Sequence, residues 1–385
     1  MEYELKALAP APPVDPKPEP DERPLLKIDP KTPQSQIPVT NQSIEELEKK
    51  YAPFVRQDVY GAMGRGKLRL SEKFLLGLGM VVLLPMRVVA GTLLLVIYYV
   101  ICRVCTAFLT PYREEEQEDY AHMGGCRRAI IVQSGRFLSR ALLFVFGFYW
   151  IRGTSRSIEV DGQFNNETAP RDQSEELERP GAIISNHVSY LDILYHMYYC
   201  FPSFVAKRSV AKLPLIGLIS KCLGCIYVQR ESKSSNFKGV SGVVNERIQV
   251  AHQNKYAPKM MLFPEGTTTN GENLLPFKTG AFLAKTPVLP VLLRYPYKRF
   301  SPAWDSISGK RHVILLLCQF VNYIEVTKLP IYYPSEQEKE HPKLYAENVR
   351  QLMAHEGNLI LSDNGLAEKR VYHAALNGNI TMPSV

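Results

Sequence analysis

Two short polar strings contain the residues whose types and spacing could do chemistry. The first holds His187 and, five positions later, Asp192, and the second holds Glu265 and Gly266. A carboxylate that accepts a hydrogen bond from one imidazole nitrogen fixes the tautomer and leaves the other nitrogen free to take a proton. The first string therefore predicts a general base for a hydroxyl group, with Asp192 orienting His187.

The spacing of His187 and Asp192 constrains the backbone between them. Residues 189–192 have the S-x-x-D form of a capping box, which predicts a helix from Ser189 to Tyr199. In one regular helix, side chains five residues apart point roughly 140° away from each other. His187 and Asp192 can meet only if His187 lies in a bend that folds back over the helix start. On this string alone, a helix cap with a structural histidine stays open as the alternative.

The second string has the composition of an anion-binding loop. Pro264 ends the preceding strand, because it lacks an N–H group and fixes its own φ angle. Residues 266–271 then contain two glycines and three threonine hydroxyls, and exposed backbone amides in such a loop can form a concavity for phosphate oxygens. An ordinary turn with a solvated Glu265 is the alternative.

Four apolar segments must position these residues. Residues 182–184 and 260–262 precede the two strings and predict strands that deliver polar loops. A third segment ends in Arg230, a residue type suited to bidentate phosphate binding, and a fourth contains Pro290. An ordinary surface arginine and a simple strand start are the alternatives for these two residues. The alternation of strands and helices predicts an α/β domain.

The four segments, in this order, resemble the PlsC-type glycerolipid acyltransferases over residues 183–293. The positions that match the four blocks of that family are His187 with Asp192, Arg230, residues 263–267, and Pro290. Within the family, the threonine-rich third block and the N-terminal hydrophobic region are most similar to plant lysophosphatidylethanolamine acyltransferases. The resemblance implies an α/β fold of the PlsC type, a central sheet flanked by helices, with an N-terminal membrane-anchoring helical region.

The resemblance also implies a reaction in phospholipid biosynthesis. A fatty acyl group would pass from acyl-CoA to the free hydroxyl of a lysophospholipid, with His187 taking the proton of that hydroxyl and Asp192 stabilising the imidazolium. Acyl-CoA is then a co-substrate, and neither a cofactor nor a metal ion is implied. The preferred acceptor would be lysophosphatidylethanolamine. Lysophosphatidylcholine, lysophosphatidylserine and lysophosphatidic acid stay open as acceptors.

A set of substrate-binding residues follows from the matched blocks. The candidates are Arg230, Glu265, Gly266, Thr267 and Pro290, with Lys207 as a further contact for the phosphates of CoA or of the acceptor. An acidic side chain beside an anionic phosphate is unfavourable, so Glu265 is expected to orient Arg230 or backbone donors, or to contact a hydroxyl. Residues 277–282 resemble a further family element, which makes Lys278 a candidate anion ligand.

The first 70 residues are expected to form a disordered tail, interrupted by a short helix at residues 43–46, which have the character of a capping box. Residues 1–40 are rich in proline and charged residues and contain too little apolar surface to offset chain entropy. This segment has no basic stretch followed by an apolar core, and so it predicts no cleavable signal peptide.

Residues 71–152 are expected to anchor the protein in a membrane. The stretch 74–109 is long and hydrophobic enough for one spanning helix, but Arg87 divides it, so a helical hairpin is the rival arrangement and a buried soluble helix pair a further alternative. Residues 129–151 predict an interfacial helix. The catalytic domain would occupy residues 153–335, followed by a C-terminal helix and tail over 336–385.

The charge and the cysteines indicate the compartment and the partners. A net charge of +8 and a pI near 9.0 favour anionic lipid headgroups and CoA. No nucleic-acid-binding module accompanies this charge, so no nucleic-acid partner is predicted. The seven cysteines form no disulfide or zinc pattern. Free thiols and a cytosolic substrate place the catalytic domain in a reducing compartment. With the resemblance, this implies an endoplasmic reticulum membrane protein whose catalytic domain faces the cytosol.

Two segments after the matched region predict further elements. The apolar run at 313–317 predicts another buried strand, and residues 342–356 predict a helix packed against the domain.

Rival functions are distinguished by their motifs. A Ser-His-Asp esterase needs a G-x-S-x-G elbow, which the sequence lacks, and a metallohydrolase needs ligands beside His187 that are also lacking. A CoA-independent transacylase of the same fold stays open. The alternative of another class is a non-catalytic membrane protein that binds lysolipid with an inactive acyltransferase fold.

Overall fold

The structure, a computed structural model, describes residues 41–114, 117–156, 179–228 and 240–377. Residues 1–40, where the disordered tail is predicted to begin, and Arg230, the predicted phosphate ligand, lie outside the described residues.

A mixed sheet forms the centre of the described part of the chain. The strands are β1 (Tyr112–Glu114), β2 (Gln117–Asp119), β3 (Ile151–Ser155), β4 (Ala182–Ser185), β5 (Ser203–Lys207), β6 (Ile226–Val228), β7 (Met260–Leu262), β8 (Asn273–Leu274), β9 (Val288–Arg294), β10 (Ile324–Lys328) and β11 (Ile360–Leu361). Seven of them form one sheet in the order β3-β10-β9-β4-β7-β5-β6.

The direction of the strands decides where polar loops meet. Strands β4, β5, β6, β7 and β9 run parallel to one another, whereas β10 is antiparallel to β9 and parallel to β3. The carboxyl ends of β4, β7 and β9 therefore lie at the same edge of the sheet, which is where open α/β sheets place their ligands. Two small two-stranded sheets, β1 with β2 and β8 with β11, lie outside the main sheet.

Helices cover both faces of the main sheet. They are α1 (Asn41–Lys50), α2 (Leu70–Leu78), α3 (Leu84–Cys105), α4 (Gly125–Val145), α5 (Leu191–Tyr199), α6 (Ile216–Leu223), α7 (Val240–Gln253), α8 (Gly309–Leu317), α9 (Glu336–Glu340), α10 (Pro342–Gly357) and α11 (Leu366–Leu376). Helix α10 confirms the helix predicted at 342–356.

The hydrophobic core has one cluster on each face of the sheet. Neighbouring residues of a strand point to opposite faces, so each central strand contributes to both clusters. One cluster contains Ile183, Met261 and Leu293, and the other contains Ile184, Met260 and Leu292. Helices α4 and α5 cover the first face, and α7 and α10 cover the second. Coverage on both sides explains why these strands are continuous apolar runs.

The strand predicted at 313–317 is wrong, because this run belongs to helix α8. Its buried residues His312, Leu315 and Leu316 have the spacing of one helix face, and the intervening Val313 and Ile314 are partly exposed. A short apolar run does not distinguish a buried strand from a helix, and here the contacts of His312 with the site loops favour the helix.

Residues 41–69 lie in the predicted tail but are ordered. Helix α1 contains the short helix predicted at residues 43–46, and two short 3₁₀ turns follow it. Phe54 and Tyr60 are buried. The guanidinium of Arg56, also buried, pairs with Asp58 at 2.5 Å and with Asp305 at 3.0 Å. The pair of Arg56 with Asp305 joins positions 249 residues apart, which explains why the composition of this segment did not predict its order.

Helix α2, a π turn over Gly79–Leu83 and helix α3 form one continuous helical segment. This segment, Leu70–Cys105, is long and apolar enough to cross a membrane, by length and composition. The hairpin alternative required a break near Arg87, and the helix continues through that residue. Arg87 is buried, and its guanidinium donates hydrogen bonds to the carbonyl oxygens of Leu317 and Gln319.

Candidate active site

Three parallel strands deliver the candidate residues to one edge of the sheet. His187 follows β4, Glu265 follows β7, and Tyr295 follows β9 directly. The side chain of Asn186 fixes the end of β4 to β9, because its Oδ1 accepts the N–H of Leu293 at 2.8 Å and its Nδ2 donates to the carbonyl of the same residue at 2.9 Å. The loops after these strands therefore start from a rigid frame.

His187 and Asp192 meet in the bend that their spacing demands. Nδ1 of His187 lies 2.8 Å from Oδ2 of Asp192. The same oxygen accepts the N–H groups of Val188 at 2.8 Å and Ser189 at 2.9 Å, which folds the backbone back over the helix start. The Asp192 side chain is fully buried, so these donors replace water as the hydrogen-bond partners of the carboxylate.

The helix after this bend starts later than predicted, at Leu191 instead of Ser189. The carboxylate half of the capping box is present, since Asp192 accepts the N–H of Ser189. The hydroxyl half of the capping box is absent, because Oγ of Ser189 has no hydrogen-bond partner in the described part of the chain. Asp192 therefore serves the bend and the imidazole together.

The side chain of Glu265 holds the backbone of His187. Its Oε1 accepts the N–H of His187 at 2.7 Å, and its Oε2 accepts the N–H of Leu275 at 2.9 Å. Three roles were expected for Glu265, and the structure shows one of them, the orientation of backbone donors. Burial raises the pKa of the Glu265 carboxyl to about 8, against the opposing effect of these two hydrogen bonds.

Aromatic rings fix the plane of the imidazole. The Phe263 ring stacks on His187 with the ring centroids 4.1 Å apart and an angle of 17° between planes. His196 contacts Phe263 edge to face, and burial lowers the pKa of His196 to about 4, so this second histidine stays neutral. The His187 side chain retains 19% of its exposure. Because Nδ1 is bonded to Asp192, Nε2 is the nitrogen that can meet a substrate hydroxyl.

Gly266 occupies a position that excludes a side chain. Its φ angle is +72°, in the left-handed region, and a Cβ built there would lie 2.6 Å from Nζ and 2.9 Å from Cε of Lys278. The N–H of Lys278 donates to the carbonyl of Pro264 at 3.0 Å, which fixes the lysine backbone beside this loop. The ammonium of Lys278 therefore lies over the glycine of the third block.

The remaining predicted residues are distributed along the strands. Thr267 continues the Gly266 loop and is half-buried. Pro290 is buried inside β9, opposite Ile184. Lys207 is the exposed last residue of β5. The structure thus brings His187, Asp192, Glu265 and Gly266 together, and it places Pro290 in the sheet that supports them.

Tyr295 is a site residue that the sequence analysis missed. Its hydroxyl donates to Oδ1 of Asp192 at 2.6 Å, across 103 positions of sequence. No motif marks Tyr295, but it is the first residue after the fourth apolar strand, and the rule that found the other strand-end residues could have found this one.

Metal ligands are not grouped in the part of the chain that the structure describes, where no cluster of three or more His, Cys, Asp or Glu residues could hold an ion. The geometry supplies a His-Asp pair in which the carboxylate is buried and one imidazole nitrogen is free, beside a glycine- and threonine-containing loop. Such a pair can take a proton from a hydroxyl nucleophile.

Comparison with known proteins agrees with this chemistry. The family model described as Acyltransferase matches residues 158–294. Lysophospholipid acyltransferase LPEAT1 of Arabidopsis thaliana is 59% identical over 99% of this chain and 98% of its own length. Lysophospholipid acyltransferase LPEAT2 of the same plant is 31% identical over 70% of this chain and 46% of its own length. The Drosophila melanogaster lysophosphatidylcholine acyltransferase is 36% identical over 59% of this chain and 42% of its own length.

The fold, the His-Asp pair and the family match define an acyltransferase. With the near full-length similarity to LPEAT1, the chain belongs to the lysophospholipid acyltransferase family. The predicted α/β acyltransferase domain, a central sheet flanked by helices, is confirmed. A crystal structure of PlsC, the 1-acyl-sn-glycerophosphate acyltransferase of Thermotoga maritima, superimposes with a TM-score of 0.38 and 15% identity over 70% of this chain and 97% of that one.

Proposed function

We propose that this enzyme transfers a fatty acyl group from acyl-CoA to the free hydroxyl of a lysophospholipid, with lysophosphatidylethanolamine as the preferred acceptor. The observation on which the reaction rests is the 2.8 Å contact between Nδ1 of His187 and Oδ2 of Asp192, which leaves Nε2 for the acceptor. The acceptor preference rests on the resemblance of the third block to plant lysophosphatidylethanolamine acyltransferases and on the 59% identity to LPEAT1.

In the proposed reaction, the acceptor itself is the nucleophile. Nε2 of His187 removes the proton of the lysophospholipid hydroxyl as its oxygen attacks the thioester carbonyl of acyl-CoA. The buried Asp192 carboxylate stabilises the imidazolium that forms. When the C–S bond breaks, the CoA thiolate leaves and takes the proton from the imidazolium, which restores neutral His187. No acyl-enzyme intermediate is required.

The negatively charged parts of both substrates need cations near this pair. Arg230, Lys207 and Lys278 are the proposed phosphate contacts, with the amides of the loop that contains Gly266 and Thr267. Lys278 is supported by its ammonium lying over Gly266, one residue from the carboxylate that holds His187. Cations near the base would hold the acceptor hydroxyl in line with the thioester.

Glu265 contributes to acceptor binding indirectly in this proposal. Both of its oxygens are engaged by protein N–H groups, one of them the N–H of His187. Glu265 would therefore place the base relative to the substrate and leave the phosphate to cations. Pro290 would act in the same indirect way, through the strand that supports β4.

The Leu70–Cys105 helix is proposed to seat the enzyme in one leaflet of the endoplasmic reticulum membrane, with the catalytic domain facing the cytosol. One side of this helix contacts the domain from its middle to its C-terminal end: Arg87 donates to the carbonyl of Leu317, and Cys102 packs in the core cluster that also contains Cys222. The other side is apolar and exposed. The residues of that surface include Val81, Val89, Leu93 and Val104, with Phe137 of α4, each 57% to 76% exposed.

The length of this contact argues against a helix that crosses the bilayer by itself. From Arg87 to Cys105 the helix rises roughly 27 Å at 1.5 Å per residue, close to the thickness of the hydrocarbon layer. A crossing helix would pull the domain segments that it contacts into the hydrocarbon. A helix lying along the surface buries only its apolar side, and it brings the site beside the acyl chains of both substrates.

Acyl transfer in microsomes tests the reaction. Microsomes lacking this activity, supplemented with the full chain, are given labelled acyl-CoA and a panel of lysophospholipids that differ in headgroup. We expect transfer that is greatest for lysophosphatidylethanolamine, is abolished in His187→Ala and is retained in His355→Ala, a histidine that is 85% exposed on α10. Lysolipid binding without transfer to any acceptor would refute the enzymatic proposal in favour of the binding-protein alternative.

Glycosylation acceptor sites test the membrane arrangement. Sites are introduced before residue 70 and after residue 105, and the chain is translated into microsomes. Neither site is expected to be modified, because both ends of the helix would lie on the cytosolic side. Modification of one site alone would show that the helix crosses the bilayer, and modification of both would place the catalytic domain on the lumenal side.

A further inference from the structure

The second oxygen of the Asp192 carboxylate has a partner of its own. Oδ2 is engaged by His187, Val188 and Ser189, and Oδ1 accepts the hydroxyl of Tyr295 at 2.6 Å. Asp192 and Tyr295 are both buried. Such a short hydrogen bond to a buried carboxylate is of the charge-assisted kind, which is stronger than one between neutral groups.

We infer that Tyr295 is a positioning residue for acyl transfer, which acts by holding Oδ1 of Asp192 so that Oδ2 faces the imidazole of His187. The inference rests on the proposed function, because it assigns Tyr295 to the same base. Tyr295 would make no contact with the reacting atoms. Its effect would pass through the orientation of the carboxylate.

The hydroxyl and the ring of Tyr295 have separable contacts. The ring packs edge to face on Phe148, with the centroids 5.8 Å apart. Substitution by phenylalanine therefore keeps the aromatic contact and removes only the hydroxyl. The removal leaves Oδ1 of Asp192 buried without a donor, which is costly for a charged oxygen.

Tyr295 remains a hydrogen-bond donor throughout the working pH range. Burial and the adjacent carboxylate of Asp192 raise the pKa of Tyr295 well above its ordinary value. The phenol therefore stabilises the carboxylate without neutralising it. Both oxygens of the Asp192 carboxylate therefore have hydrogen-bond donors.

The other titratable groups near Asp192 do not replace this donor. His196 lies one helical turn beyond Asp192, and both of its ring nitrogens lack a hydrogen-bond partner in the described residues. The hydroxyl of Tyr190 is 3.1 Å from Nδ1 of His312. Glu265 reaches His187 only through the backbone N–H. Among the side chains that the structure describes, Tyr295 is thus the one that donates to Oδ1.

Tyr295→Phe in the full-length enzyme, purified in lipid nanodiscs, tests the inference. We expect kcat to fall about tenfold while KM for acyl-CoA and for the lysophospholipid stays within about twofold, because the base and not the substrate contacts is disturbed. The pH profile of kcat/KM should also change, since the carboxylate that pairs with the imidazole of His187 has lost a hydrogen-bond donor.

The matched control is Tyr332→Phe. The hydroxyl of Tyr332 donates to Oε1 of Glu338 at 2.6 Å, a tyrosine-to-carboxylate hydrogen bond of the same length on helix α9. This variant should keep the kcat and the pH profile of the wild type. Thermal unfolding of both variants verifies that they fold.

A double-mutant cycle with Asp192→Asn shows whether Tyr295 acts through Asp192. The tyrosine substitution should have little further effect in the Asp192→Asn background. An equal loss in both backgrounds, or a Tyr295→Phe variant with unchanged kcat and pH profile, would overturn the inference. Failure of the proposed function would look different, because the wild type would then transfer no acyl group or His187→Ala would remain active.

Discussion

The loop after β4 and the loop after β7 have similar positions in the fold, but their carboxylates contact different parts of His187. Each follows a parallel strand at the same edge of the sheet. Each is associated with a buried carboxylate, which is Asp192 in the first turn of α5 for the first loop and Glu265 for the second. Asp192 contacts the imidazole ring, whereas Glu265 contacts only the backbone N–H of the same residue. One acid therefore affects the proton transfer itself, and the other affects where the base lies.

The two carboxylates also differ in how well the protein replaces water. Asp192 accepts hydrogen bonds from one imidazole, two backbone N–H groups and one phenol. Glu265 accepts two backbone N–H groups, and burial raises its pKa to about 8. A buried acid with fewer donors is the one whose charge is less favoured. Perturbing each loop separately should therefore give different pH and rate effects.

Asp192→Asn should have the largest effect in this comparison. An amide in place of the carboxylate favours the wrong imidazole tautomer, so kcat should fall by about 10³ to 10⁴ fold at unchanged folding. Steady-state acyl transfer with purified enzyme measures this loss. Asp363→Asn, an exposed position, is the control and should be fully active. A loss smaller than tenfold would assign Asp192 to helix capping alone.

Gly266→Ala should disturb the second loop without touching either carboxylate. A side chain in the left-handed region costs roughly 1–2 kcal/mol, and the Cβ would displace the Lys278 ammonium. We expect kcat/KM to fall about tenfold, mainly through KM for the anionic substrates. Gly280→Ala is the matched control, because a Cβ there meets nothing within 4 Å. Equal activity of the two variants would remove Lys278 from the proposed phosphate contacts.

Glu265→Gln should alter the pH dependence of stability. A carboxyl whose pKa is about 8 in the folded state and 4.5 in the unfolded state binds more protons when folded between these values. The wild type should therefore lose stability as pH rises through this window, and the glutamine variant should show a flatter dependence. Apparent Tm from pH 5 to pH 9 measures the difference.

The activity of Glu265→Gln should fall about tenfold, much less than for Asp192→Asn, because the glutamine still accepts one backbone N–H. Glu340→Gln, on the exposed end of α9, should leave both the rate and the Tm profile unchanged. Parallel pH profiles for wild type and Glu265→Gln would contradict the proposed titration.

Lys369→Met should have the smallest effect, since it acts on both loops from a distance. The ammonium on α11 donates to the carbonyl and hydroxyl oxygens of Thr268 at 2.7 Å and to the carbonyl of Trp304 at 3.1 Å. The N–H of Trp304 in turn donates to the carbonyl of Val188. We expect a loss of kcat of about two- to fivefold. Lys343→Met, at an exposed lysine on α10, should keep the kcat of the wild type. An unchanged kcat in Lys369→Met would show that the contacts of Lys369 with Thr268 and Trp304 do not support the site.

Local sequence was sufficient for the main elements around the site. Short apolar runs predicted β4, β7 and β9, because strand residues buried on both faces are apolar in succession. The spacing of His187 and Asp192 predicted a backbone bend, and the structure has that bend. These features depend on residues within a few positions of each other.

Only the tertiary structure decided the remaining contacts of the site. Tyr295 reaches Asp192 across 103 positions, and Arg56 pairs with Asp305 across 249. The run at 313–317 is helical because His312 on the same helix contacts the site loops. Glu265 accepts the N–H of His187 because the sheet brings their two loops together. The types of residues and the periodic spacing of apolar ones determine local structure over one or two helical turns. Hydrogen bonds between distant loops form only once the strands are paired.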